Sequence, residues 1–205
     1  MALSAPFTPR SNPGSTPSAD VAQTCPLEAF TKLVAFISGA PRATLSAIMC
    51  VESEDQLKQG LALIDASDPQ TQPSVSVKAT CRCIHEWLMR DGERSAASKD
   101  IIPLSLLLLL RCRIQNGERG AQIKLNDSAQ IAVAFKIAYG NTSDNWMTLK
   151  SWARITDVPG TLIKKVEPLF LGILDWRTLV RDDVFTDFVV RVDMLWNIVF
   201  NVEKK

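Results

Sequence analysis

The stretch "SAQIAVAFKIAY", residues Ser128–Tyr139, has apolar side chains on every side of a helix instead of along one stripe. A helix that is apolar all round is surrounded by other helices, whereas a surface helix keeps a polar face. The alanines within it allow neighbouring helices to approach closely. Its only charged residue is Lys136. The segment therefore predicts the central helix of an all-α protein, with a single cation on that helix.

A second charge stands at the apolar edge of a later helix, in "KVEPLFLGILDWRTLV" (Lys165–Val180). At 3.6 residues per turn, one apolar face is formed by Ile163, Val166, Leu169, Phe170, Ile173 and Leu174. Glu167 lies about 90° from the centre of that face, between Leu171 and Leu174. A carboxylate flanked by leucines needs a polar partner, because an unpaired buried charge is costly. That partner belongs either to this chain, with Lys136 as the candidate, or to another polypeptide.

The rest of the chain is also helical in its spacing, with no alternating strand pattern. We predict a disordered tail over residues 1–24, which are rich in Pro, Ser and Thr. Residues 25–66 predict a helical extension broken at Gly39-Ala40-Pro41, and residues 67–74 a linker. A main domain follows over residues 75–200. Its predicted helices are Val75–Arg90, Pro103–Gln115, Ser128–Tyr139, Thr148–Ile155, Thr161–Leu174 and Val184–Val199.

Composition and charge exclude several classes of partner. The 23 Lys and Arg against 22 Asp and Glu leave a net charge of +1, which supplies no electrostatic case for nucleic acid or an anionic membrane. The longest apolar run, Ile101–Leu110, is too short to cross a bilayer. The five cysteines are odd in number and scattered, and prolines interrupt the N-terminus where a signal peptide needs an apolar core. We therefore expect a soluble intracellular protein.

The chain offers little support for catalysis or metal binding. Cys81, Cys83 and His85 stand two residues apart, with Cys112 the only plausible fourth ligand. Residues two apart on a helix point to different faces, so core packing is the favoured interpretation. His85 is the only histidine, and no nucleophile or nucleotide-binding motif accompanies it. We expect no enzyme, no metal, no cofactor and no small-molecule substrate. The predicted core anchors are Trp146, Trp152, Trp176 and Trp196.

The second half of the chain resembles a known family. The stretch "AFKIAYGNTSDNWMTLKSWARITDVPGTLIKKVEPLFLGILDWRTLVRDDVF" is similar to the second half of a cyclin box, and the agreement runs continuously from Ala129 to Phe185. An Ala-x-Lys in the third helix of that box is matched by Ala134-Phe135-Lys136. A Lys-x-Trp-Ala in the fourth helix, as in cyclins of the fungal phosphate-pathway type, is matched by Lys150-Ser151-Trp152-Ala153. The fifth-helix pattern is matched by Glu167, Phe170-Leu171 and Leu174-Asp175-Trp176-Arg177.

The resemblance implies a single cyclin box: a five-helix bundle around a buried central helix, with an N-terminal helical extension and one C-terminal helix. It implies that Lys136 and Glu167 face a cyclin-dependent protein kinase near its regulatory helix, and that this chain binds and activates the kinase. Two other interpretations stay open. The pair could be an internal salt bridge that ties two helices, or the chain could be a cyclin-fold scaffold for a different protein, without kinase activation.

Two features bear on that implied docking face. Pro168 follows Glu167 directly, where it removes one backbone hydrogen bond and predicts a kink in the helix, at about 3 kcal/mol. The extension over residues 25–66 could also cover the face and inhibit it.

Overall fold

The computed structural model describes residues 27–50, 73–91, 98–118 and 123–201, and all regular structure within these ranges is helical. The prediction of an all-α protein is confirmed. The predicted tail over 1–24, the continuation of the extension after Cys50 and most of the predicted linker lie outside the described residues. The helices are α1 (Leu27–Gly39), α2 (Arg42–Cys50), α3 (Val75–Asp91), α4 (Ser98–Glu118), α5 (Asp127–Thr142), α6 (Leu149–Thr156), α7 (Gly160–Ile173) and α8 (Asp182–Asn201).

The predicted start of α4 was wrong by five residues, whereas the other predicted starts in the main domain agree with the structure to within two. The helix α4 begins at Ser98 and includes Pro103 in its interior, because Asp100 in the first turn suits the positive end of the helix dipole and the turn forms ahead of the proline. The N-cap of α5 is Asn126, whose side chain accepts a hydrogen bond from the Ala129 backbone N–H at 3.0 Å. Ser128, the first residue of the predicted helix, lies inside α5 and is buried. Asparagine is among the strongest N-cap residues, which explains the earlier start.

The predicted central helix is confirmed. Every residue of α5 from Ser128 to Phe135 is buried, and the helix packs against α3, α4, α6 and α7. The alanines at positions Ala129, Ala132 and Ala134 are fully buried, which lets the neighbouring helices approach closely.

Four aromatic rings on α3, α5 and α6 form a closed cluster. Trp87 contacts Phe135 and Tyr139 with centroids 5.9 and 5.6 Å apart, and Trp152 contacts the same two rings at 5.8 and 5.4 Å. All four contacts are edge-to-face, the arrangement that aromatic quadrupoles favour. The cluster joins three helices on one side of α5.

The two helices of the extension share the core with the rest of the bundle. The helix α1 packs on α3 and α4, and α2 packs on α4. Two arginines reach the ends of these helices: Arg113 donates to the Ser38 carbonyl, and Arg191 donates to the Met49 carbonyl. Carbonyls in a last helical turn lack an intrahelical partner and carry partial negative charge, so both guanidiniums stabilise them. Within the described residues, no helix combines the length and apolarity needed to cross a bilayer.

Candidate protein-docking site

Lys136 and Glu167 lie together where α5 leaves the core. The Lys136 ammonium donates to Oε1 of Glu167, and the two side chains are 25% and 26% exposed. Phe135, the residue before Lys136, is fully buried. The two charges predicted from the sequence are therefore neighbours, and the pair is accessible at the surface of the bundle.

The position of Glu167 follows from the burial pattern of α7. Its buried residues are Ile163, Val166, Phe170 and Ile173, and Leu174 at the C-cap is also buried. The predicted apolar face is confirmed at these positions but was wrong for Leu169, which is 39% exposed. Glu167 and Leu169 lie on opposite edges of the face, each well away from its centre at about 100° per residue. One edge of α7 therefore pairs with α5 and the other faces solvent.

The ion pair keeps unused hydrogen-bonding capacity. An ammonium carries three donors and a carboxylate two acceptor oxygens, whereas the bond between Lys136 and Glu167 engages one carboxylate oxygen. Partial exposure leaves the remaining donors and lone pairs accessible to water or to a partner. The two side chains can therefore make further hydrogen bonds while their own bond joins α5 to α7.

Pro168 does not end the helix that carries the site. The helix α7 runs without interruption from Gly160 to Ile173, and Pro168 lies exposed within it. Glu167 reaches Lys136 in spite of the proline that follows it. The missing backbone hydrogen bond is therefore compatible with the pairing of α5 and α7.

The tryptophans predicted as core anchors differ in how far their side chains are buried. Trp152 is buried as predicted, but Trp146 is 98% exposed and Trp176 is 68% exposed, so the prediction was wrong for both. Trp146 stands in the connection between α5 and α6, and Trp176 in the turn after α7, where helical periodicity gives no indication of burial. Trp196 lies on α8, and its side chain is outside the described part of the structure. The exposed pair consists of aromatic surface residues that sequence reasoning missed.

The three cysteines whose side chains the structure describes are packed against other residues. Cys81 and Cys112 are buried, as predicted, and burial raises the pKa of both thiols from 9.0 to about 12. Cys83 is partly buried, and burial also raises its pKa. His85 is partly buried and has an interaction partner. The described residues contain no group of three or more His, Cys, Asp or Glu side chains that could hold a metal ion.

No protein-family model matches this chain, and neither the curated proteins nor the solved structures include a match to it.

Proposed function

We propose that this protein is a cyclin-like regulatory subunit that binds and activates a cyclin-dependent protein kinase. The observation that carries the proposal is the ion pair of Lys136 with Glu167, one quarter exposed where α5 meets α7. From the sequence resemblance to a cyclin box, we expect these two positions to face a kinase. The phosphoryl-transfer chemistry would belong to the partner, and this chain would supply the docking face.

A partly desolvated ion pair suits the centre of such a face. Its two side chains hold each other in position before the partner arrives, so docking orders few additional groups. Backbone groups of the kinase would occupy the remaining donors of Lys136 and acceptors of Glu167. Charged pairs that a partner covers are among the groups that fix register and specificity in an interface.

Trp146 would serve as an aromatic anchor at the rim. It lies in the connection from Ser143 to Thr148, and its side chain is 98% exposed. Tryptophan is enriched among the residues that dominate binding energy in interfaces. Tyr139, by contrast, is engaged with Trp87 and Trp152, so it would support the face from beneath.

Activation would follow from rigid docking. A helical surface placed against the regulatory helix of a kinase holds that helix inward, which completes the kinase's own Lys–Glu ion pair and its Mg²⁺–nucleotide geometry. The buried core around α5 would hold this docking surface in a fixed position.

Charge exchange at the ion pair tests the proposal. We expect Lys136→Glu to abolish co-purification with a cyclin-dependent kinase, detected by mass spectrometry and kinase activity. The double variant Lys136→Glu/Glu167→Lys restores an internal ion pair but presents each charge at the other position. It should recover thermal stability without recovering kinase binding. Lys78→Glu, an exposed lysine on α3, is the matched control and should bind like the wild type.

A scaffold without kinase activation is the alternative class. It is favoured by the fact that the Lys136–Glu167 bond is made within the chain, so it can tie α5 to α7 with no partner present. In that case the double variant would behave as wild type in every binding measurement. Retention of a kinase by Lys136→Glu would contradict the proposed docking face.

A further inference from the structure

The helices α6 and α7 turn positively charged side chains towards solvent. Within these two helices, the exposed cations, which we call the basic face, are Lys150, Arg154, Lys164 and Lys165. Glu167 is the single acidic residue on either helix, and its carboxylate is already bound by the Lys136 ammonium. The two helices therefore present positive charge that no acidic residue of their own balances.

The burial pattern of the two helices holds these cations on the outside. Lys150 and Arg154 are four residues apart and share one side of α6, while Trp152 and Ile155 are buried on the other. On α7, at about 100° per residue, both lysines lie more than a right angle away from the centre of the buried stripe. The basic face is therefore fixed in place by the packing of the opposite sides of α6 and α7.

The two pairs of cations belong to neighbouring helices. The helix α6 packs on α7, and a Cβ added to Gly160 at the start of α7 would lie 3.3 Å from the Leu149 side chain and 3.8 Å from that of Ala153. Leu149 directly precedes Lys150 and is 36% exposed, so apolar surface lies beside the cations where the two helices meet. The basic face thus combines positive charge with an accessible leucine.

The positive charge of the basic face is unpaired within the described part of the chain. Its four side chains take part in none of the ion pairs or side-chain hydrogen bonds that the described residues form with one another. The exposed acids nearest to it in the sequence are Asp144 and Asp157, in the connections on either side of α6. Four positive charges therefore stand against two negative ones, in a chain whose net charge is only +1. The excess is a local property of α6 and α7.

We propose that the basic face binds an acidic segment of a partner protein. Carboxylates of that segment would bind Lys150 and Arg154 on α6 and the two lysines on α7, and an apolar side chain beside them would cover Leu149. Clusters of cations recognise acidic motifs in this way, and arginine can bind a carboxylate through two parallel hydrogen bonds. The basic face includes neither Lys136 nor Glu167, so this inference does not depend on the proposed kinase docking.

An acidic polypeptide fits this surface better than a nucleic acid does. A protein that binds the DNA backbone tightly makes about 6–10 phosphate contacts. The basic face offers four cations, and only Arg154 among them carries the planar group that pairs with phosphate through two hydrogen bonds or stacks on a base. The exposed Leu149 instead suits an apolar side chain of a peptide.

A fluorescence-anisotropy titration of the full-length protein tests this surface. The probe is a labelled synthetic peptide in which aspartates and glutamates flank a Leu-Phe pair, and the control peptide has asparagines and glutamines at the acidic positions. We expect saturable binding of the acidic peptide alone, and this binding should weaken at high salt because ions screen exposed charges. The variant Lys150→Glu/Arg154→Glu should weaken it by about tenfold or more, since like charges then face each other.

The chain supplies a matched control on α3. Lys78 and Arg82 are also an exposed lysine and an exposed arginine four residues apart. The variant Lys78→Glu/Arg82→Glu therefore changes the net charge equally, and it should bind the peptide like the wild type. Lys164→Gln/Lys165→Gln removes two charges without reversing them and should weaken binding by a smaller factor. Thermal melting verifies that each variant is folded.

Several outcomes would overturn this inference. One is the absence of saturable binding of the acidic peptide; another is an equal loss of affinity in the α3 variant, which would reflect net charge alone. Tighter binding of a single-stranded oligonucleotide of equal charge, lost in Lys150→Glu/Arg154→Glu, would assign the face to a nucleic acid instead. Concentration-dependent self-association that the same variant abolishes would assign it to a second copy of this chain. Lys136→Glu should leave peptide affinity unchanged, so a failure of kinase binding and a failure of this surface are distinguishable.

Discussion

The two halves of α5 lie in different surroundings. From Ser128 to Phe135 every side chain is buried, whereas from Lys136 to Thr142 Ala138 alone is. The first half is enclosed by four helices and forms the core. The second half reaches the surface, and it carries both the ion pair with Glu167 and the hydrogen bond from the Asn141 side chain to the Thr178 carbonyl. One helix thus belongs to the core at one end and carries the proposed docking site at the other.

Thiol reactivity should differ most strongly between the buried cysteines, Cys81 and Cys112, and the partly buried Cys83. Burial raises the pKa of Cys81 and Cys112 to about 12. At about pH 8.5, the fraction of each thiol present as thiolate is therefore about a thousandfold lower than in a free cysteine. We expect iodoacetamide to label Cys83 well before Cys81 or Cys112 in the folded protein, measured by peptide mass mapping. Equal labelling of all three under native conditions would contradict the buried packing.

The same thiols make stability depend on pH with a definite sign. The folded state keeps their protons up to about pH 12, whereas the unfolded chain loses them near 9.0. Unfolding therefore releases protons in this window, and the free energy of unfolding falls as the pH rises from about 9 towards 12. Replacement of Cys81 and Cys112 by alanine should reduce that slope in urea titrations, relative to replacement of Cys83.

Truncation inside the buried half should cost the most stability. Phe135→Ala removes a fully buried ring that contacts Trp87 and Trp152, and we expect a loss of about 3–5 kcal/mol in the free energy of unfolding. Ile137→Ala, two residues later and partly exposed, is the matched variant and should lose clearly less. Chemical denaturation measures both. Similar losses at the two positions would mean that the halves of α5 do not differ in packing.

Removal of one charge from the Lys136–Glu167 pair should lower the free energy of unfolding by an intermediate amount. Glu167→Gln keeps the shape of the side chain but leaves Lys136 without its carboxylate, and we expect a loss of about 1 kcal/mol for this partly exposed pair. The loss should shrink at high salt, because ions screen accessible charges. Asp183→Asn, which breaks the exposed pair with Arg181, should cost less. A loss of several kcal/mol in the free energy of unfolding for Glu167→Gln would instead indicate an ion pair that is inaccessible to solvent.

A substitution in the second half of α5, residues 136–142, should stabilise the folded protein. Gly140 lies within α5, and a Cβ added there would meet nothing within 4 Å. Gly140→Ala should raise the free energy of unfolding by about 0.5–1 kcal/mol, because alanine loses less backbone entropy in a helix. Gly160→Ala is the comparison, since its Cβ would lie 3.3 Å from the Leu149 side chain and should give less or no gain. Thermal melting distinguishes the two.

The residues of the candidate site were predictable to different degrees. The period of α7 placed Glu167 at an apolar edge, and the apolar composition of α5 indicated a buried helix with one cation. That Lys136 meets Glu167 depends on how α5 and α7 pack, and no local pattern specifies which edges of two helices face each other. Trp146 and Trp176 were misjudged because side-chain hydrophobicity predicts burial, while their loop positions carry no periodic signal.

Local pattern was sufficient for the helical class of this protein, for the burial of α5 and for the separation of α1 from α2 at Pro41. Those properties arise from side-chain polarity at short spacing, which any segment of the chain carries with it. Contacts between distant segments were needed to join Lys136 to Glu167 and to bring the Asn141 side chain to the Thr178 carbonyl. These features depend on how the helices pack, and the energy of that packing comes from residues far apart in the chain.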